Sequence, residues 1–430
     1  MRVRGGGAYY MISRSLGVEA GGAIGIPLFL AQAISVSFYV AGFAESVVAV
    51  LPDLDVRWVG LGTLAALTAI TAFSADLALR TQYVVMAFIV LSLASFFLGH
   101  PPTPESLTHP ATAPVPLGFW PVLAVFFPAV TGILSGVAMS GDLKNPSRSL
   151  PMGTIAAVLA GYAIYLAIPV FLSRMVSDPA VLMTDTMVVQ KTARWGSLVV
   201  LGIWAASLSS AVGCLLGAPR TLQALARDGV LPRVLGKGYG PGNEPRVAML
   251  IAVAIGAGGL LLGDINLIAP VLTMFFLTTY GMLNLSAGLE ELMGNPSWRP
   301  TFRVPAVVSL VGGLLCGKMM FMINPGATFV GLAFVALVYY GLKRRAMRAR
   351  WGDMRMAVLM FGARLLLRRL SARLPGERNW RPSLLVLAGA PVRRWHLIEV
   401  ADAISRNRSL VTVALRSEEH TSELQSRLHL

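Results

Sequence analysis

One apolar segment, residues 119–139, contains residues that would break a membrane helix and open its backbone to ions. Pro128 removes a backbone N–H donor, and Gly132 and Gly136 follow it. Broken backbone is tolerated in a membrane only where it lines a cavity or is buried in protein. The two half-helices would then offer carbonyl oxygens to a cation and amide N–H groups to an anion. From these residues alone, a simple proline kink is the alternative.

The rest of the chain shows no pattern for enzymatic or metal chemistry. The two cysteines, Cys214 and Cys316, lie inside apolar runs and are expected to be core residues. The five histidines have no metal-ligand spacing. The loop 140–146 lacks the glycines and Lys-Ser/Thr pair of a phosphate-binding loop. We therefore expect no enzyme activity, no cofactor and no metal site.

The composition indicates a membrane protein. Of the 430 residues, 55% are apolar and only 13% are charged, whereas a soluble domain has about 25% charged residues. A soluble protein of this size could not bury so much apolar surface in one core. This excludes a soluble enzyme, a disordered chain and a nucleic-acid-binding module. Repeated apolar runs predict an all-α polytopic membrane protein whose surroundings are the lipid bilayer.

Ten apolar runs are candidate transmembrane spans, although some are shorter than the usual length of about 20 residues. They are residues 21–50, 58–74, 82–98, 119–139, 152–173, 196–216, 246–262, 266–288, 304–323 and 325–342. Lys and Arg concentrate in alternate loops, which makes those loops cytoplasmic by the positive-inside rule. Both ends of the chain are then expected in the cytoplasm.

Three ionisable residues, Glu45, Asp264 and Lys318, fall in or near these spans. Charges within a membrane are functional candidates by default. For Lys318 we expect either an ion pair or a side chain that reaches the membrane surface.

The last fifth of the chain has a different character. Residues 343–430 hold 18 Lys and Arg against seven Asp and Glu, which predicts a basic, membrane-facing tail. Residues 354–374 have the pattern of a basic amphipathic helix, and a strand–helix–strand pattern follows. The expected division is a transmembrane core at 1–342, a basic amphipathic linker at 343–381, the beginning of a cytosolic α/β regulatory domain at 382–415, and a translated sequencing adapter at 416–430.

Several long motifs resemble the cation–chloride cotransporter family of the amino acid–polyamine–organocation superfamily. They begin at residues 3–17, which contain Arg-Gly-Gly-Gly-Ala-Tyr-Tyr, and continue at residues 21–25, 39–45, 127–136, 140–146, 207–210, 217–220, 268–272 with Phe275, Phe276 and Tyr280, and 379–382. The resemblance covers roughly residues 1–415. It implies an inverted-repeat fold of five plus five spans, with substrates at the midplane where helices are broken. It also implies that the first two family spans are missing, so that the ten spans here are the third to the twelfth.

The resemblance also implies ion sites. Potassium would be coordinated by the carbonyl of Pro128, the hydroxyl and carbonyl of Thr131, and the hydroxyl of Tyr39. Chloride would be held by the backbone amides of Gly132, Ile133 and Leu134 and by the hydroxyl of Tyr280. For either tyrosine, a hydrogen bond to a neighbouring helix is the simpler interpretation.

A sodium site is implied by a pair of hydroxyls. In the sodium-coupled branch of the family, serines at the positions of Ser209 and Ser210, with the carbonyl of Ala206, are sodium ligands. Helix-packing serines that bond their own backbone are the alternative. Residues 217–220 and 226–228 look closer to the potassium–chloride branch, so sodium coupling stays open at this point.

The function implied by the resemblance is electroneutral symport of chloride with potassium, sodium or both, by alternating access. The short segment 174–195, which lacks a glycosylation sequon, indicates a prokaryotic protein of the plasma (inner) membrane, and the family implies a homodimer. An amino-acid or polyamine permease of the same fold and a non-transporting membrane scaffold are the alternatives. These residues alone are expected to be inactive, because the first family span completes the ion sites.

Overall fold

The computed structural model describes residues 7–73, 75–103, 107, 117–138, 145–240, 243–262, 265–293, 303–344, 354–371, 384–389, 394–405 and 411–415. The expectations for most of the loop 140–146, for Asp264, for residues 379–382 and for residues 416–430 lie outside this range. Two compact units are present, Met1–Val358 and Leu359–Leu430. The division into domains made from the sequence stays a prediction.

The first unit is built of helices. They are α1 (Gly7–Leu16), α2 (Val18–Val50), α3 (Val56–Phe73), α4 (Ala75–Phe97), α5 (Phe119–Phe126), α6 (Ile133–Ala138), α7 (Pro146–Met175), α8 (Pro179–Thr184), α9 (Val188–Thr192), α10 (Gly196–Arg227), α11 (Arg246–Leu262), α12 (Ile265–Met293), α13 (Ala306–Ile323) and α14 (Pro325–Arg344). Short 3-10 helices cover Phe127–Val130 and Arg233–Gly236. Helix α15 (Met354–Ser371) crosses the boundary between the units.

Every predicted span coincides with a helix or, at residues 119–139, with α5, the 3-10 turn and α6 together. Within the described residues, six helices are long and apolar enough to cross a membrane, namely α2, most of α7, α10, most of α12, α13 and α14. Four shorter apolar segments correspond to the other four predicted spans. The all-helical membrane fold is therefore confirmed, while the count of ten spans stays a prediction.

Helix α2 is the centre of the first unit. Its most apolar stretch is 72% buried, against 0% for α7 and 6% for α13, so α2 faces protein and the other two present their apolar faces outward. With 33 residues, α2 is about 50 Å long, which exceeds the hydrocarbon thickness of about 30 Å and requires tilt. Gly25 allows a close approach here, because a Cβ atom would lie 2.7 Å from the Tyr9 ring and 2.8 Å from Leu225.

A polar cluster joins α1 to the end of α10. The Tyr9 hydroxyl donates to Asp228 at 2.8 Å, and the Arg14 guanidinium lies 3.5 Å from the same carboxylate. Burial and the neighbouring carboxylate raise the pKa of Tyr9. The cluster fixes the short helix α1, which is not among the membrane-crossing candidates, against the helix that carries the predicted sodium site.

The second unit contains a strand, a helix and a strand, as the sequence pattern predicts. Strand β1 (Leu384–Gly389) pairs in parallel with β2 (Val411–Leu415), and α16 (Trp395–Ser405) connects them. Val386 and Ala401 are buried between the sheet and the helix. Whether these elements open a regulatory domain stays a prediction.

Candidate functional site

The predicted break in residues 119–139 is present. Helix α5 ends at Phe126, one 3-10 turn follows, and Thr131 is extended before the chain enters α6. Gly132 has φ +107°, in the region that favours glycine, and a Cβ atom there would meet nothing within 4 Å. The sequence therefore folds into two short half-helices because Pro128 stops α5 and Gly132 allows the sharp change of direction. A simple proline kink is excluded.

Three residues predicted to bind potassium meet at this break. The Tyr39 hydroxyl, from the middle of α2, lies 3.5 Å from the Pro128 carbonyl oxygen and 3.3 Å from Thr131 Oγ1. The Thr131 hydroxyl donates to the Pro128 carbonyl at 2.7 Å. Three oxygens from two elements thus converge, which is the donor type that an alkali cation requires. Their role as potassium ligands stays a prediction.

A cavity of about 680 Å³ lies beside these oxygens. Tyr39, Pro128 and Thr131 line one part of it, and Ala206 and Ser210 of α10 line another. Every described lining residue is uncharged. A cation in this cavity would therefore lack a formal counter-charge from the side chains that the structure describes around it.

The structure does not place the three predicted sodium ligands together in the lining of the cavity. Ala206 and Ser210 face the cavity, whereas Ser209 is outside its lining and donates a hydrogen bond to the side-chain amide oxygen of Gln82 on α4. The alternative was a serine that bonds a backbone carbonyl of its own helix. The described partner of Ser209 is instead a side chain on another helix.

The residues predicted to bind chloride lie on the other side of the break. Gly132 directly precedes α6, and Ile133 and Leu134 are its first residues, where amide N–H groups have no carbonyl partner within the helix. The Tyr280 hydroxyl is buried with no hydrogen-bond partner among the described residues. Its ring stacks on Phe276 at 5.9 Å and lies 6.3 Å from Phe127 at the break. None of these four residues lines the 680 Å³ cavity, and their chloride role stays a prediction.

Three residues that support the site were not found from the sequence. The Tyr165 hydroxyl donates to the Ala129 carbonyl at 2.8 Å, and the buried Thr273 hydroxyl donates to the Ala124 carbonyl at 2.7 Å. Gln82 is the third. Each joins positions 36 to 149 residues apart in the chain, so local pattern gives no indication of the partner. A glutamine in an apolar helix was the available signal, because such side chains commonly bond across helices.

Of the remaining ionisable candidates, Glu45 and Lys318 are exposed on α2 and α13. Lys318 has no ion pair with any residue that the structure describes, and a side chain that extends to the membrane surface stays a prediction.

Taken together, a bundle of apolar helices with a broken helix beside a cavity lined by uncharged residues is typical of helical membrane transporters with the inverted-repeat fold. The family model described as amino acid permease matches residues 1–386. The chain therefore belongs to the amino acid permease family, whose members are not enzymes.

The chain is also similar to curated members of solute carrier family 12. It is 32% identical to member 2 of Homo sapiens, 31% to member 2 of Mus musculus and 30% to member 1 of Mus musculus. Each alignment covers 95% of this chain but only 39% to 43% of the relative. The chain thus spans about two fifths of the length of these relatives. The cotransporter resemblance stated from the motifs is confirmed.

Proposed function

We propose that this chain forms the membrane core of a secondary transporter that moves chloride together with potassium, sodium or both in an electroneutral symport by alternating access. The observation that carries the proposal is the convergence of the Tyr39 hydroxyl, the Pro128 carbonyl and Thr131 at a broken helix. The similarity to solute carrier family 12 supports it.

The charge balance of the site supports cotransport. An alkali cation at the three oxygens would lie in a cavity lined by uncharged described residues, and an unbalanced charge in such surroundings is costly. A chloride ion at the amides of α6 and at the Tyr280 hydroxyl, which has no partner among the described residues, would offset that cost. Each ion then favours binding of the other, which couples their movement.

Several further statements belong to this proposal. The ligands are the predicted sets: Tyr39, Pro128 and Thr131 for potassium; Gly132, Ile133, Leu134 and Tyr280 for chloride; Ala206, Ser209 and Ser210 for sodium. The protein works without a cofactor, as a homodimer in a plasma membrane, with both ends of this chain in the cytoplasm.

Uptake of rubidium, a potassium substitute, tests the proposal in cells that express the reading frame encoding this chain. Uptake should require external chloride, collapsing when gluconate replaces it. Uptake that survives the replacement would contradict chloride coupling. Replacement of sodium by N-methylglucamine in a parallel arm decides which cations are coupled. Reconstituting the 430 residues alone in liposomes tests the expectation that they carry no flux.

An amino-acid permease is the second candidate, because the matching family model bears that description. Such a permease would take up a radiolabelled amino acid in gluconate medium and would show no chloride-dependent rubidium uptake. The same cells and media therefore separate the two functions.

A further inference from the structure

One polar contact between two apolar helices involves a predicted sodium ligand. The Ser209 hydroxyl on α10 donates to the side-chain amide oxygen of Gln82 on α4. Other hydroxyls on the apolar helices mostly donate to carbonyls of their own helix, as Ser35 does to Ala31 at 2.8 Å and Thr278 does to Met274 at 2.8 Å. The Ser209 hydroxyl thus donates a hydrogen bond to a different helix, at a residue 127 positions away in the chain.

The position of Gln82 is fixed by tight packing of α4 against α10. A Cβ atom on Gly202 would lie 2.3 Å from Ser92 Cβ, so the helices approach closely only because residue 202 is glycine. Nearer the start of α10, Ser95 Oγ donates to the Trp195 carbonyl and accepts from the Trp195 amide, both at 2.9 Å. These contacts set the register of the antiparallel pair and place Gln82 opposite Ser209.

The direction of this hydrogen bond matters for a cation. A hydroxyl has one proton and two lone pairs, and it can coordinate a cation only with a lone pair. The proton must then be donated elsewhere, and a fixed acceptor determines where the lone pairs are aimed. Partners of this kind orient the residues that contact a metal ion, and losing them commonly weakens metal affinity 10- to 100-fold.

We infer that Gln82 is a positioning residue for sodium: its amide oxygen takes the Ser209 proton and leaves the Ser209 lone pairs free for the ion, beside the Ala206 carbonyl and the Ser210 hydroxyl. The inference rests on the proposed function, in which these three residues hold sodium. It adds a determinant on α4 to a site formed otherwise by α10, and it makes the sodium affinity depend on the α4–α10 contact.

Substitution of Gln82 tests the inference. Gln82→Leu keeps the approximate volume and removes the acceptor, so the sodium concentration for half-maximal rubidium uptake should rise roughly tenfold. The half-saturating concentrations of rubidium and chloride should stay within about twofold. Gln82→Glu keeps an acceptor oxygen and should restore sodium affinity to within about threefold of the wild type. Tyr83→Leu, at an exposed neighbouring position on α4, is the matched control and should change nothing.

The inference is overturned if Gln82→Leu leaves sodium half-saturation unchanged, if it weakens all three ions equally, or if Gln82→Glu is as impaired as Gln82→Leu. A second measurement is independent of transport: the rise in unfolding temperature of the purified protein when sodium chloride replaces N-methylglucamine chloride. Gln82→Leu should reduce this rise. No rise in the wild type would refute the inference while leaving chloride-coupled potassium transport intact, whereas chloride-independent uptake would refute the proposed function itself.

Discussion

Replacing Tyr280 by phenylalanine should make the protein more stable without chloride and a poorer binder of chloride. The Tyr280 hydroxyl is buried with no partner among the described residues, and a buried polar group left unpaired costs about 1–3 kcal/mol. Tyr280→Phe removes that cost, while the ring keeps its stacking on Phe276. In chloride-free medium the free energy of unfolding should therefore rise by about 1 kcal/mol or more.

The same substitution removes a donor to the anion. Hydrogen bonds to charged groups contribute about 1.5–3 kcal/mol, and about 1.4 kcal/mol corresponds to a tenfold change in a binding constant. The half-saturating chloride concentration for rubidium uptake should thus rise at least roughly tenfold. Since a ligand stabilises the folded state by RT ln(1 + [L]/Kd), the stabilisation by added chloride should shrink in parallel.

Two assays check this prediction. Thermal unfolding of the purified protein is measured in gluconate and in chloride, and rubidium uptake is measured against chloride concentration. Tyr162→Phe, at an exposed position on α7, makes the same chemical change away from the site and should alter neither. The reasoning is refuted if Tyr280→Phe lowers stability in gluconate and leaves the chloride dependence unchanged.

Three further substitutions test how the site is built. Gly132→Ala should destabilise the protein by about 1–3 kcal/mol through backbone strain at φ +107°, whereas Gly136→Ala, with open space and no positive φ, should be tolerated; equal unfolding temperatures would contradict this. Gly202→Ala should lower the unfolding temperature by crowding Ser92, and Ser92→Gly in the same chain should recover part of the loss; no recovery would mean that α4 and α10 do not meet there. Tyr9→Phe should destabilise the protein by about 1 kcal/mol at neutral pH. Because the folded-state pKa of Tyr9 is raised, the contribution of Tyr9 to the free energy of unfolding should hold below pH ~10 and decline above it. Unfolding scans at alkaline pH should show this decline in the wild type and not in Tyr9→Phe.

Local physics made much of the fold predictable from the sequence. The apolar runs identified the helices because a membrane segment must satisfy its backbone internally, and Pro128 with Gly132 located the break because each residue restricts or frees the backbone at its own position. The strand–helix–strand order of the second unit followed from its apolar periodicity.

The site itself depended on more than local pattern. The approach of Tyr39 to Pro128 joins residues 89 positions apart and was expected only through the family resemblance. The partners of Ser209 and Tyr165 were not anticipated, because they depend on how closely two helices pack. That closeness is set by single residues such as Gly202, whose effect appears only when the opposing helix is known.

The most direct measurement is the rubidium dependence of uptake in Tyr39→Phe beside the wild type. The hydroxyl lies 3.3 Å from Thr131 Oγ1 and 3.5 Å from the Pro128 carbonyl, and the ring packs edge-on against Phe38 at 5.7 Å, so the substitution removes one oxygen and keeps the packing. If these oxygens hold the cation, the half-saturating rubidium concentration should rise roughly tenfold with little change in unfolding temperature. An unchanged rubidium dependence would contradict a cation site at the broken helix.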